Sequence, residues 1–131
     1  MIGLDTNVLC RYLLADDPVQ TQKAAQIIDG AADQGEQCFI SKIALCELVW
    51  VLENCTTMDR AEIVGILDRL LHTVQLEFEG RQLAHQALDQ FRKSKGDFSD
   101  YLIHQTNLAA GCKKTKTFDK ELSGNPGFEI L

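Results

Sequence analysis

Short apolar segments alternate with longer amphipathic ones along this chain, and that alternation restricts the folds it can adopt. The segments "IGL" (2–4), "QCFIS" (37–41) and "VQLEF" (74–78) are short and largely apolar, which predicts strands. Between them, apolar residues recur at three- and four-residue spacing, as in "DRAEIVGILDRLLHTV" (59–74), which predicts helices. Strands separated by helices favour an α/β fold with a mainly parallel central sheet.

Length and composition favour one cytoplasmic domain spanning residues 1–131. A chain of 131 residues buries a core without disulfides or structural metal. No apolar run is long enough to cross a membrane, and the first residues carry Asp5 and no basic leader, unlike a signal peptide. The five cysteines are odd in number and lack Cys-x-x-Cys spacing, so we expect buried, reduced thiols.

The charge of the chain is unevenly distributed. Its formal net charge of −6 argues against nucleic-acid binding. Residues 92–120, however, hold seven of the 13 basic side chains and three acids, while residues 1–91 hold six basic and 14 acidic residues. The basic segment is either a solvated edge or a rim that attracts phosphates around an acidic centre. The candidates for phosphate contact are Lys93, Lys95, Lys116 and Lys120.

Two aspartates follow predicted strands directly. Asp5 comes after "IGL", and Asp119 comes after "KTKTF". In open parallel sheets, ligands gather at the carboxyl ends of the strands. Helix capping explains either aspartate alone, but two acids at equivalent edges of the sheet weaken that explanation.

Glu47 is the only charged residue in "IALCELVWVL" (43–52), a predicted helix that is apolar on nearly all sides. Ile43 and Trp50 lie one turn away on the same face. A carboxylate on such a face is costly to bury unless it is paired, hydrogen-bonded or bound to a metal. We therefore expect Glu47 on a buried face, as a ligand, a general base or the partner of a structural group.

Asp97 and Asp100 stand at the start of the predicted helix "FSDYLIHQTNLAAG" (98–111). Asp97 fits the N-cap and Asp100 the third helical position, a pattern related to the capping box. A role for Asp100 as a metal ligand beside Asp5, Glu47 and Asp119 is the alternative. Four converging carboxylates repel one another unless a cation is present. All-oxygen ligands suit Mg²⁺ or Mn²⁺, which serve phosphoryl chemistry.

The segments "IGLDTNVL", "ALCELVWVL", "DFSDYLI" and "TKTFDKEL" together resemble the acidic motifs of PIN-domain ribonucleases, most closely VapC-type toxins. The resemblance implies a three-layer α/β/α sandwich with a mainly parallel sheet. It implies that Asp5, Glu47, Asp100 and Asp119 are catalytic and hold Mg²⁺ or Mn²⁺, with Asp97 a further ligand or only a cap. The resemblance also suggests that Thr6 and Thr117 orient carboxylates or water.

The same resemblance implies a metal-dependent endoribonuclease, the toxin of a toxin–antitoxin pair, with RNA, an antitoxin protein and a second copy of this chain as partners. One alternative is a non-catalytic module that binds RNA or a protein partner through this fold. Another is a phospho-receiver-like signalling domain, which needs an acid pair at the end of its first strand. The pair in this chain, Asp16 and Asp17, follows a predicted helix instead.

Overall fold

The computed structural model describes all 131 residues and divides into two compact units, Met1–Arg81 and Gln82–Leu131. The N-terminal unit contains, in order, β1 (Ile2–Gly3), α1 (Thr6–Leu14), α2 (Pro18–Asp33), β2 (Cys38–Ile40), α3 (Lys42–Asn54), α4 (Arg60–Leu71) and β3 (Leu76–Phe78). The elements that follow are α5 (Arg81–Lys93), α6 (Phe98–Ala109), β4 (Thr115–Thr117), a short 3₁₀ helix (Lys120–Leu122) and β5 (Phe128–Ile130).

In the N-terminal unit, three parallel strands form one sheet in the order β1-β2-β3. Because the strands run in the same direction, the residues that follow them share the carboxyl edge of the sheet. Asp5 follows β1, Ser41 follows β2 and Glu79 follows β3. Two hydrogen bonds stabilise this edge. Ser41 Oγ accepts from the backbone N–H of Ala44, and Glu79 Oε1 accepts from the backbone N–H of Lys42.

Helix α3 packs one side against the core and leaves the other side open. Its inward side chains are aliphatic and buried: Ala44, Leu45, Leu48, Val49 and Leu52. Its outward side carries Glu47 between Ile43, which is 73% exposed, and Trp50, which is 61% exposed. The prediction that Glu47 lies on a buried face is therefore wrong. Helix α3 itself carries apolar side chains on nearly all of its sides, so their spacing in the sequence does not identify the side that faces the core.

The C-terminal unit is built around α5, α6 and the parallel pair β4–β5. Phe91 of α5 and Phe98 of α6 are buried and meet edge to face, with ring centroids 6.0 Å apart. The hydroxyl of Tyr101 accepts from the backbone N–H of Gly96 and donates to Asn125 Oδ1. These contacts join the start of α6 to the segment before β5.

His104, one turn beyond Asp100, is part of this packing. It is 3% exposed, its Nδ1 lies 2.8 Å from Thr115 Oγ1, and its ring packs on Phe128 at a centroid distance of 4.6 Å. Burial lowers the pKa of His104. Its position identifies a structural histidine that ties α6 to β4 and β5.

The predicted α/β fold class and the parallel pairing of its strands are confirmed. The cysteines depart from expectation: Cys10 and Cys38 are buried, but Cys55 and Cys112 are exposed, so the prediction of burial is wrong for those two. None of the helices combines the length and the apolar character that crossing a membrane requires.

Candidate active site

In the N-terminal unit, one threonine connects two of the predicted acids. Asp5 is the N-cap of α1, and its Oδ1 accepts from the backbone N–H of Thr6 at 2.8 Å. The side chain of Thr6 is buried, and its Oγ1 donates to Glu47 Oε2, also at 2.8 Å. Thr6, the first residue of α1, therefore forms a hydrogen bond with each of the two acids, Asp5 beside it and Glu47 on α3.

This hydrogen bond has a chemical consequence for Glu47. A hydroxyl has one proton to donate, and Thr6 gives it to Glu47, so the carboxyl group acts as an acceptor and is held in one orientation. The carboxylate remains exposed to solvent beyond this contact. An oriented and accessible carboxylate of this kind is suited to binding a hard cation.

In the C-terminal unit, the predicted acids stand at the starts of two helices. Asp97 is the N-cap of α6, as predicted, and its backbone N–H donates to Asp100 Oδ2 at 3.1 Å. Asp119 precedes the 3₁₀ helix, and its Oδ1 accepts from the backbone N–H of Glu121 at 2.9 Å. The backbone N–H of Asp119 in turn donates to Thr117 Oγ1 at 3.1 Å. Thr117 thus fixes the backbone that carries Asp119.

Burial and like charges act together on Asp100. Partial burial is the largest cause that raises the pKa of Asp100, and the backbone hydrogen bond from Asp97 opposes it. The negative charges of Asp97, Asp119 and Glu121 raise the pKa of Asp100 further. Ionising Asp100 therefore costs more than ionising a solvent-exposed aspartate, and a nearby positive charge would lower that cost.

The donor chemistry fits a hard divalent cation. The predicted ligands offer carboxylate oxygens, which Mg²⁺ and Mn²⁺ prefer, and the crowded negative charge at Asp100 is what a cation relieves. Within either unit taken alone, no three His, Cys, Asp or Glu side chains group closely enough to hold a metal ion. The predicted ligands are Asp5 and Glu47 in the N-terminal unit and Asp100 and Asp119 in the C-terminal unit.

A family model described as "PIN domain" matches residues 2–126. The chain belongs to the PIN domain family. This PIN-domain chain is also similar to a protein of Aquifex aeolicus (strain VF5) named VapC ribonuclease. The two are 24% identical over 117 residues, which cover 89% of this chain and 86% of that protein. The family resemblance drawn from the four acidic segments is thereby confirmed.

The predicted phosphate-contacting lysines of this PIN domain are all exposed. Lys93 ends α5, Lys95 follows it, Lys116 is the central residue of β4 and Lys120 begins the 3₁₀ helix. Negative charge offsets part of this surface, because Lys114 forms an ion pair with Glu129, which lies opposite Lys116 in the strand register. That ion pair lowers the pKa of Glu129. The role of the lysines in binding RNA stays a prediction.

The sequence pattern predicted that Trp50 and Ile43 lie on a buried face, but both side chains are exposed to solvent. A signal was present, because a single charged residue in an apolar helix most often marks the side that faces solvent. The charge of Glu47 in this apolar segment therefore indicated that its side of α3, which includes Trp50, is exposed to solvent.

Proposed function

We propose that this chain is a Mg²⁺- or Mn²⁺-dependent endoribonuclease. The observation that carries the proposal is the contact between Thr6 Oγ1 and Glu47 Oε2, directly after Asp5. Helix capping accounts for the position of Asp5 at the start of α1. It does not account for the buried hydroxyl of Thr6, which orients the exposed carboxylate of Glu47 on α3. Membership of the PIN domain family and the similarity to a protein named VapC ribonuclease support the same function.

We propose that residues 1–131 act as one catalytic domain, since a single family model spans residues of both compact units. In it, Asp5, Glu47, Asp100 and Asp119 hold the metal ion. When bound, such an ion activates water and stabilises charge on the leaving oxygen. Thr6 orients Glu47, and Thr117 positions Asp119 through its backbone. Asp97 is the N-cap of α6. Substituting Asp97 and measuring RNA cleavage tests whether it also binds the metal ion.

The proposed reaction is hydrolysis without a covalent enzyme intermediate. A bond forms between the water oxygen and the phosphorus of an RNA phosphodiester, while the bond from phosphorus to the 3′ oxygen breaks. The products are a 5′-phosphate and a 3′-hydroxyl. The exposed lysines 93, 95, 116 and 120 supply contacts to the phosphates on either side.

We further propose that the chain is the toxin of a toxin–antitoxin pair, acts in the cytoplasm and forms a homodimer. The similarity to VapC supports the pairing with an antitoxin. We expect a short reading frame that encodes an antitoxin beside this gene, and co-expression of its product should suppress RNA cleavage. Light scattering during gel filtration tests the dimer, because a single-chain mass at working concentration contradicts it.

The experiment for the proposed function is sequencing of RNA 5′-phosphate ends after brief induced expression. The wild-type chain should create new ends, and the Asp5→Asn variant should create none. Asp59→Asn is the matched control, because Asp59 also caps a helix of the same unit and asparagine caps equally well. New ends with Asp59→Asn but not with Asp5→Asn support the proposal. The same ends from Asp5→Asn would show that it is wrong.

A further inference from the structure

Trp50 presents an aromatic ring to solvent one helical turn from Glu47. Residues three apart on a helix are surface neighbours, with Cβ atoms about 5–6 Å apart. Trp50 is 61% exposed, and it shares the outward side of α3 with Glu47. The side chain of Asn54 donates to the backbone carbonyl of Trp50 at 2.9 Å, which fastens the last turn of the helix below the ring. This hydrogen bond and the helix itself fix the backbone of Trp50.

Trp50 and Ile43 leave two large apolar side chains exposed on either side of Glu47, and adjacent exposed apolar groups mark binding sites where a single one does not. Their position on α3 limits what binds there. Glu47 is oriented by Thr6 and lies between Ile43 and Trp50 on the same face. A substrate held at the carboxylate of Glu47 therefore lies within one helical turn of Trp50. In a ribonuclease, that substrate is an RNA strand.

The geometry points to Trp50 as a stacking platform for an unpaired RNA base next to the cleaved phosphodiester. This inference rests on the proposed function and deepens it, since it makes unpaired bases part of what the site selects. Aromatic side chains bind single-stranded RNA by stacking on base faces, which are accessible only where the bases are unstacked. A fully paired RNA of the same sequence offers no such face.

Trp50 is the single tryptophan of the chain, so its fluorescence reports on this ring alone. The titration uses the Asp100→Asn variant, which should strongly slow turnover, without added metal, and a short RNA that spans the cleavage position mapped from 5′-phosphate ends. The single strand should quench the emission, because a stacked base quenches indole fluorescence. The same RNA annealed to its complement should quench much less.

Substitutions in the active chain provide the second measurement. Trp50→Ala should weaken binding of the single strand roughly tenfold, and Trp50→Phe should lose less because it keeps an aromatic face. The control is Val74→Ala, since Val74 is 83% exposed in the same unit but precedes β3, at the opposite edge of the sheet from Asp5. Thermal melting should be nearly unchanged in all three variants, because the substituted side chains are largely exposed.

Two results would overturn the inference while leaving the proposed function intact. One is RNA cleavage at the wild-type rate by Trp50→Ala, with no quenching by the single strand. The other is a shift of the emission to shorter wavelength as protein concentration rises without RNA, which assigns the ring to an interface with a second copy. Failure of the proposed function is distinguishable, because it appears earlier as the absence of new 5′-phosphate ends.

Discussion

The two compact units hold their candidate acids by different physical means. In the N-terminal unit, Asp5 and Glu47 are exposed, and the buried residue Thr6 contacts both: its backbone N–H donates to Asp5 and its hydroxyl donates to Glu47. In the C-terminal unit, Asp100 is half-buried, and that burial, followed by the charges of neighbouring carboxylates, raises its pKa. The first arrangement orients a carboxylate through a side-chain hydrogen bond. The second places a partly buried carboxylate among other acids, so the two units should respond differently to substitution.

The largest expected effect comes from removing one acid from either unit. Asp5→Asn and Asp100→Asn should each reduce the rate of Mg²⁺-dependent RNA cleavage by at least roughly 10²-fold, because each removes the charge of a proposed metal ligand. Cleavage of labelled RNA by the purified chain measures this. Asp59→Asn and Asp89→Asn, one exposed acid in each unit, should cleave at the wild-type rate. A strong loss in one unit only would show that the other unit's acids are not catalytic.

The next effect concerns the packing that supports the C-terminal acids. Gly127 has φ +86, and a Cβ there would meet His104 Nε2 at 2.4 Å. Gly127→Ala should destabilise the protein by about 2–5 kcal/mol, through left-handed backbone strain and overpacking. Gly124→Ala is the control, because Gly124 has φ +81 but nothing within 4 Å of an added Cβ. It should cost about 1–2 kcal/mol. Urea unfolding measures both, and equal losses would contradict the role of His104.

Much of the scaffold follows from the sequence, because its local signals agree with one another. Pro18 begins α2, Ser41 caps α3 and Asp97 caps α6, as their residue types predict. The acid candidates follow from their positions after strands and at helix starts. These features depend on neighbours within a few residues, which is the range over which sequence patterns are informative.

The side of α3 that meets the core, and the bond from Thr6 to Glu47, did not follow from the sequence. Helix α3 has apolar residues on nearly all sides, so its pattern fits more than one rotation about the helix axis. The bond joins residues 41 positions apart, and its formation depends on how α1 and α3 pack. The exposure of Trp50 is a consequence of that same packing.

A smaller effect separates the two threonines. Thr6→Val should reduce cleavage about tenfold, because it removes the donor that orients the carboxylate of Glu47. Thr117→Val should reduce it less, because Thr117 contacts only the backbone N–H of Asp119. Thr6→Ser keeps the hydroxyl and should restore most of the rate. If Thr6→Val cleaves at the wild-type rate, the hydrogen bond from Thr6 to Glu47 does not contribute to catalysis.

The smallest effect is on stability and depends on pH. Because the pKa of Asp100 is raised by folding, the folded state binds its proton more tightly, and stability falls as pH rises through the ordinary and then the raised pKa. Asp100→Asn removes that loss. Without metal, it should melt at a higher temperature than the wild type at neutral pH, and at the same temperature at acid pH. A lower melting temperature at neutral pH would contradict the raised pKa of Asp100.

The most direct test of the account is calorimetric titration of the purified chain with Mn²⁺. The central claim is that acids of both units serve one metal-dependent function. The wild type should bind Mn²⁺, and Asp5→Asn and Asp100→Asn should each lose most of that binding, while Asp59→Asn binds as the wild type does. Undiminished binding of Mn²⁺ by both Asp5→Asn and Asp100→Asn would contradict the claim.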